Sequence, residues 1–218
     1  MINIDLLFKN IKNNLAIKCS DDSDTSDLSV KIENLLNNDI NLVSVSPRFV
    51  DITWGWLEKR QISILTRFNF DENLNVSDLA GQIQSVFKKG AGGVQVFVSL
   101  ADLDDFSNNI SPVCSDLFFN RNLFIGLDLA KIGQFDFNCI YLNLKKVSAT
   151  GLVLYFNEKE DTDFVGTVYG FINRLPDDFD MHLHFMLGNN PQKIEQVWRL
   201  FEKLRPDILP KIKFFLNS

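Results

Sequence analysis

Eight short runs rich in β-branched and aromatic residues recur along the chain, at residues 15–19, 42–46, 62–68, 94–99, 123–129, 152–156, 182–186 and 212–215. Longer segments with helical apolar spacing separate them. That alternation predicts parallel strands joined by crossover helices. Eight such runs is the number that closes a (β/α)8 TIM barrel, an α/β fold. At 218 residues the chain is compact for this architecture, and a single domain over 1–218 is expected. The sequence ends at Asn217-Ser218, directly after the eighth run, so the closing C-terminal helix is expected to be missing.

Two helices are well marked. Ser77 is placed to cap a helix whose buried face carries Leu79, Ile83, Val86 and Phe87, with Gly90 ending it. Asn190 caps another, with Pro191 in its first turn and Ile194, Val197, Trp198 and Phe201 as its apolar stripe. Further helices are expected near 29–38, 50–60, 135–148 and 163–174. The stretch 101–122, broken by Ser-Asn-Asn and Ser-Pro, reads as irregular, either short helices or a long loop. Trp54 and Trp56, two apart on a helix, should face different ways, one packed and one exposed.

The net charge of −6 and the lack of a basic run with interleaved aromatics argue against nucleic acid. Asp5, Lys9 and Lys12 interrupt the N-terminal apolar residues, so no signal core is expected, and no run is long enough to span a membrane. Cys19, Cys114 and Cys139 are odd in number and widely spaced, with no C-x-x-C pair. Neither a disulfide framework nor a zinc site is expected, and a reducing, cytoplasmic setting follows.

Barrel chemistry sits at the C-terminal ends of the strands. The residues expected there are Lys18, Ser44, Arg67, Gln95, Asp128, Tyr155, His184 and Lys213. His182 and His184 share a strand face, and hydrogen-bonded interior histidines outweigh a metal pair. No metal and no cofactor are assigned. Asp128 is expected to pair with Lys18 or Lys213, which end the first and eighth runs. Arg48, after Pro47, suits either an anion or a loop carbonyl. Gly90-Ala91-Gly92-Gly93 precedes a strand, so a tight turn is expected rather than a phosphate cradle.

Several segments resemble the deoxyribose-phosphate aldolase family. Val43-Ser44-Val45-Ser46-Pro47-Arg48-Phe49 is similar to that family's second strand and its exit. Asn69-Phe70 closes the third run in the family manner, and Lys89-Gly90-Ala91 leads into the fourth. Asp22-Ser23-Asp24-Thr25 resembles the acidic turn after the first strand. The match is carried by the first half of the chain, and by strand order alone beyond it.

The resemblance implies a Schiff base on a sixth-strand lysine, and here the sequence departs. The matching position in Gly151-Leu152-Val153-Leu154-Tyr155-Phe156 is Leu154. The family's second lysine falls on His184 or Phe185, its acid/base aspartate on Gln95, and its fifth-strand lysine on Phe124. Gly188-Asn189-Asn190 and Phe215-Leu216-Asn217-Ser218 only partly resemble its phosphate loops. The expectation is a divergent aldolase-like barrel without classical Schiff-base activity. It would bind a small phosphorylated or sugar-like ligand through Ser44, Arg48, Arg67, Asn69, Gln95, Tyr155, Asn189 and Ser218. Two alternatives stand beside it. One is an active lyase using Lys18 or Lys213 as the amine, with Asp128 or His184 moving protons. The other is an interaction protein, most simply a homodimer.

Overall fold

The computed structural model of the chain describes residues 11–22, 24–70, 75–156 and 163–217, with the Asn34 side chain left aside. Its strands are β1 (Leu15–Lys18), β2 (Leu42–Val45), β3 (Ser63–Asn69), β4 (Gly93–Phe97), β5 (Asn122–Asp128), β6 (Gly151–Tyr155), β7 (His182–Met186) and β8 (Ile212–Asn217). All neighbours pair in parallel, and β8 pairs with β1 to close the barrel. Seven helices alternate with them: α1 (Thr25–Asn37), α2 (Val50–Leu57), α3 (Val76–Lys88), α4 (Leu103–Leu117), α5 (Asp136–Lys146), α6 (Phe164–Ile172) and α7 (Pro191–Leu204). No described helix follows β8. The expected (β/α)8 fold is therefore the one adopted.

The period-2 pattern of each strand divides the apolar residues into two cores. One set, such as Val43, Val96, Ile125, Leu154, Phe185 and Phe214, packs outward against the helices. The other fills the barrel: Ala16, Leu42, Leu65, Phe124, Val153, Met186 and Phe215. The abundant phenylalanines serve both. Phe185 stacks on Phe214 outside the barrel at 5.8 Å between centroids, while Phe124 stacks on His184 inside it at 4.1 Å.

Four details differ from the sequence reading. The segment 101–122 contains α4, a 15-residue helix that includes Pro112. Its Leu103, Phe106, Ser107, Ile110 and Cys114 form a buried stripe, which outweighs the local breakers once the barrel supplies a surface. The cap of α3 is Asn75, whose side chain accepts from the Ser77 N–H at 2.9 Å. Trp54 and Trp56 are both partly exposed, at 40% each. Trp54 lies across Gly90, where an added Cβ would stand 2.4 Å from its ring. Finally, β8 runs on to Asn217, two residues past the predicted end.

Among the described residues no helix is long and apolar enough to cross a membrane. The three cysteines are free thiols, Cys19 and Cys114 buried and Cys139 exposed.

Candidate functional site

A cavity of about 710 Å³ opens at the C-terminal end of the barrel. Its polar walls come from inward residues near the ends of four strands: Lys18 of β1, Arg67 and Asn69 of β3, Tyr155 of β6 and Asn217 of β8. Phe97 and Met186 form apolar wall, with Phe97 tilted against Tyr155 at 5.6 Å. The β7–α7 loop adds Gly188, Asn189 and Asn190, and the first turn of α7 adds Lys193. Lys18, Arg67 and Lys193 face one carboxylate, Asp21, among the described lining residues. The described lining is thus net positive although the chain carries a net charge of −6.

Arg67 anchors the wall. Its side chain is buried, and it donates to the Ser44 carbonyl (3.0 Å), the Ser44 hydroxyl (2.9 Å), the Cys19 carbonyl (2.6 Å) and Asp21 Oδ1 (2.6 Å). Ser44 in turn donates to Gln95 Oε1 at 2.7 Å. Ser44 and Gln95, both expected as ligand contacts, therefore lie beneath the cavity and position Arg67. They are fully buried, and Gln95 Nε2 has no hydrogen-bond partner among the described residues.

Lys18 is the one residue of the expected amine pair that lines the cavity. Burial, and then the neighbouring Arg67 guanidinium, lower its pKa; Asp21 acts in the opposite sense. Lys213 sits elsewhere. It is the second residue of β8, and its ammonium donates to the Asn13 carbonyl at 2.5 Å, below the start of β1. The residue paired with Lys18 across the β1–β8 seam is Asn217. The sequence reading had placed Lys213 at the mouth because it ended the eighth strand two residues early.

His184 is also off the mouth. It is 2% exposed at mid-barrel, between Phe124 and Phe215, with Nδ1 unpartnered. Burial, helped by His182 and Lys213, lowers its pKa to about 3, so the ring is neutral. Asp128 pairs in register with Tyr155, but its carboxylate accepts from the Ala130 N–H at 3.1 Å and caps the turn after β5. The expected ion pair with Lys18 or Lys213 is not among the described contacts. Burial, and then the Asp128 charge, raise the Tyr155 pKa, so its phenol stays a donor.

Arg48 donates to the Asp21 carbonyl, with its guanidinium 4.5 Å from the Phe49 ring centroid, and braces the β1–α1 loop. Ser218 lies outside the described residues, as does Ser23 of the acidic turn. The alignment placing the family lysine at Leu154 needs correction: Leu154 faces the helices, and the inward residues of β6 are Val153 and Tyr155. Neither carries an amine, so the sixth strand still presents none.

Sequence reasoning missed Lys193 and Asn217. Lys193 is held at the rim by Phe156 and Phe164, whose ring centroids lie 5.0 and 5.2 Å from its ammonium. Its place three residues after the Asn190 cap was the available signal. Asn189 Nδ2 donates to the Asn217 carbonyl at 2.6 Å and ties this loop to β8. The N-terminus of α7 offers few free amides, because Pro191 has none and the Lys193 N–H is taken by Asn190 Oδ1 (3.0 Å).

These features define a (β/α)8 barrel with a polar, cationic C-terminal mouth. Solved structures with the same fold include deoxyribose-phosphate aldolases. A protein assigned to that activity from Toxoplasma gondii ME49 superposes with a TM-score of 0.75 at 13% identity, covering 97% of this chain and 90% of that one. The tetrameric deoxyribose phosphate aldolase of Aeropyrum pernix gives 0.73 at 10% identity, covering 98% and 91%. A phosphonomutase fold from Burkholderia cenocepacia J2315 gives 0.60 at 10% identity, covering 99% and 91%. At these identities the likeness establishes the fold. No family model and no curated protein matches the sequence.

Proposed function

We propose that the chain is a divergent relative of deoxyribose-phosphate aldolases, lacking their sixth-strand Schiff base, whose barrel mouth binds a small phosphorylated or sugar-like ligand. The cationic cavity on an acidic chain carries this reading. An anion entering it meets the cationic side chains of Lys18, Arg67 and Lys193. Asn69, Asn189, Asn190 and Asn217 supply amide donors and acceptors suited to hydroxyl groups. Few helix amides are available, so side chains rather than a backbone cradle would hold the phosphate. Val153 on β6 gives no nitrogen for the relatives' covalent chemistry.

Calorimetric titration with glyceraldehyde 3-phosphate and with inorganic phosphate tests this. Saturable binding that weakens with salt and with Lys193→Met supports it; heat indistinguishable from dilution for both ligands refutes it.

Self-association belongs to the same reading. Phe135 (87% exposed), Phe119 (74%) and Leu142 (68%) leave apolar surface on the helical shell, and one structural relative is described as a tetramer. Sedimentation equilibrium showing a monomer throughout would remove that element alone.

A further inference from the structure

We infer that the barrel mouth takes a nucleoside monophosphate, with its base laid on an aromatic floor formed by Phe97 and Tyr155 and its phosphate at the cationic rim. This rests on the mouth being a ligand site, and it narrows the ligand to one chemical class.

The floor is built from three neighbouring strands. Phe97 ends β4, Tyr155 ends β6, and Gly126 of the intervening β5 pairs in register with Phe97. Because Gly126 has no side chain, the Phe97 ring lies against its backbone, where an added Cβ would stand 2.5 Å away. From there the ring reaches Tyr155, with 5.6 Å between centroids. Underneath, both rings pack on the apolar cluster that fills the barrel, which includes Phe124, Val153, Met186 and Phe215. Above, both line the cavity, and each is only partly buried. The Tyr155 phenol is held in its neutral form, so the floor carries no charge that would repel a phosphate ester. Aromatic rings with a packed underside and an open upper side are a platform for stacking a planar base. An open-chain sugar phosphate has no planar ring to match it.

The surrounding walls suit the rest of such a ligand. Asn69 and Asn217, near the ends of β3 and β8, border the same cavity. A carboxamide presents a donor and an acceptor side by side, the pattern that a nucleobase edge also carries. The cationic rim adjoins the aromatic floor: Phe156 follows Tyr155 in the chain, and its ring centroid lies 5.0 Å from the Lys193 ammonium. Base and phosphate of one molecule therefore meet neighbouring walls. The cavity volume of about 710 Å³ falls in the range of roughly 300–1,000 Å³ typical of sites that enclose a whole small ligand. The net charge of −6 favours a single nucleotide over a nucleic-acid chain, whose backbone calls for an extended basic surface.

Calorimetric titration of the full chain with adenosine monophosphate, ribose 5-phosphate and inorganic phosphate tests the inference. Adenosine monophosphate should bind about ten-fold or more tightly than ribose 5-phosphate, the scale of one base stacked on an aromatic side chain. Phe97→Leu and Tyr155→Leu should each narrow that gap and leave the affinity for ribose 5-phosphate unchanged, which also reports an intact mouth. If one variant loses ribose 5-phosphate as well, the gap in the other decides. Equal affinities in the wild type overturn the inference and leave the mouth as a site for small sugar phosphates. A gap that survives both substitutions overturns it too, because the base then lies elsewhere. Failure of all three ligands to bind removes the ligand-site reading together with it.

Discussion

The guanidinium of Arg67 stands 2.6 Å from the carboxylate of Asp21, joining the end of β3 to the loop that leaves β1. The two partners are unequal: the Arg67 side chain is 8% exposed and that of Asp21 66%. Solvent screens the ion pair itself, so its direct contribution is small. What matters is that Arg67 is also locked to the Cys19 and Ser44 carbonyls, inside the barrel wall. The pair therefore fixes a positive charge beside Lys18 and shapes the mouth.

Replacing Arg67 by Met removes its hydrogen bonds to the Ser44 carbonyl and hydroxyl and to the Cys19 carbonyl. Each such loss costs on the order of 1–3 kcal/mol, so urea denaturation should show the Arg67→Met midpoint clearly lowered. Binding of phosphate should weaken in the same variant. A midpoint equal to that of the wild type contradicts the anchoring role.

His184 sets a pH dependence. Burial lowers its pKa to about 3 in the folded chain, from the ordinary histidine value of 6.5. The unfolded chain thus binds a proton on this residue between those values while the folded chain does not. Stability is full above pH 6.5 and falls as pH drops from there toward 3, by about 1.4 kcal/mol per pH unit at most. His184→Leu, apolar like its Phe124 and Phe215 neighbours, should flatten this part of the stability–pH curve relative to wild type. Parallel curves for the two proteins would show that His184 is not held neutral.

Two glycines should respond oppositely to alanine. Gly81 lies inside α3 with nothing within 4 Å of an added Cβ, so Gly81→Ala should stabilise by about 0.5–1 kcal/mol. Gly90 has φ +105° and a Cβ there would press on the Trp54 ring. Gly90→Ala should destabilise by about 1–3 kcal/mol, from backbone strain and overpacking together. Trp54→Ala should recover only the packing part. Thermal denaturation of the four proteins, the double variant included, checks both signs.

The barrel was legible because strand composition and spacing repeat eight times, and that signal does not depend on any single residue. The site was less so. Lys18, Arg67, Asn69, Tyr155 and Asn189 line the cavity, and each lies near the C-terminal end of a strand, which the eight-run pattern marks in the sequence. Which way a strand residue points needs the register, and a one-residue shift exchanges the two faces. Leu154 was read as inward on that account, although Val153 and Tyr155 are the inward residues. Lys213 was misplaced along the barrel axis because the eighth run was ended at Phe215, while backbone pairing continues through Leu216 to Asn217. Segment 101–122 hid its helix because Ser, Asn and Pro suppress local propensity, and only packing of Phe106 and Ile110 reveals it. Lys193 has no distinctive neighbourhood in sequence; the rings of Phe156 and Phe164 that hold it come from another loop and helix.

A crystal structure of the chain grown with saturating glyceraldehyde 3-phosphate addresses the cavity most directly. The account predicts the ligand in the mouth cavity, with its phosphate within hydrogen-bonding distance of Lys193 or Asn189. A mouth holding only water under those conditions, or the ligand bound on the outer helical shell, would contradict it.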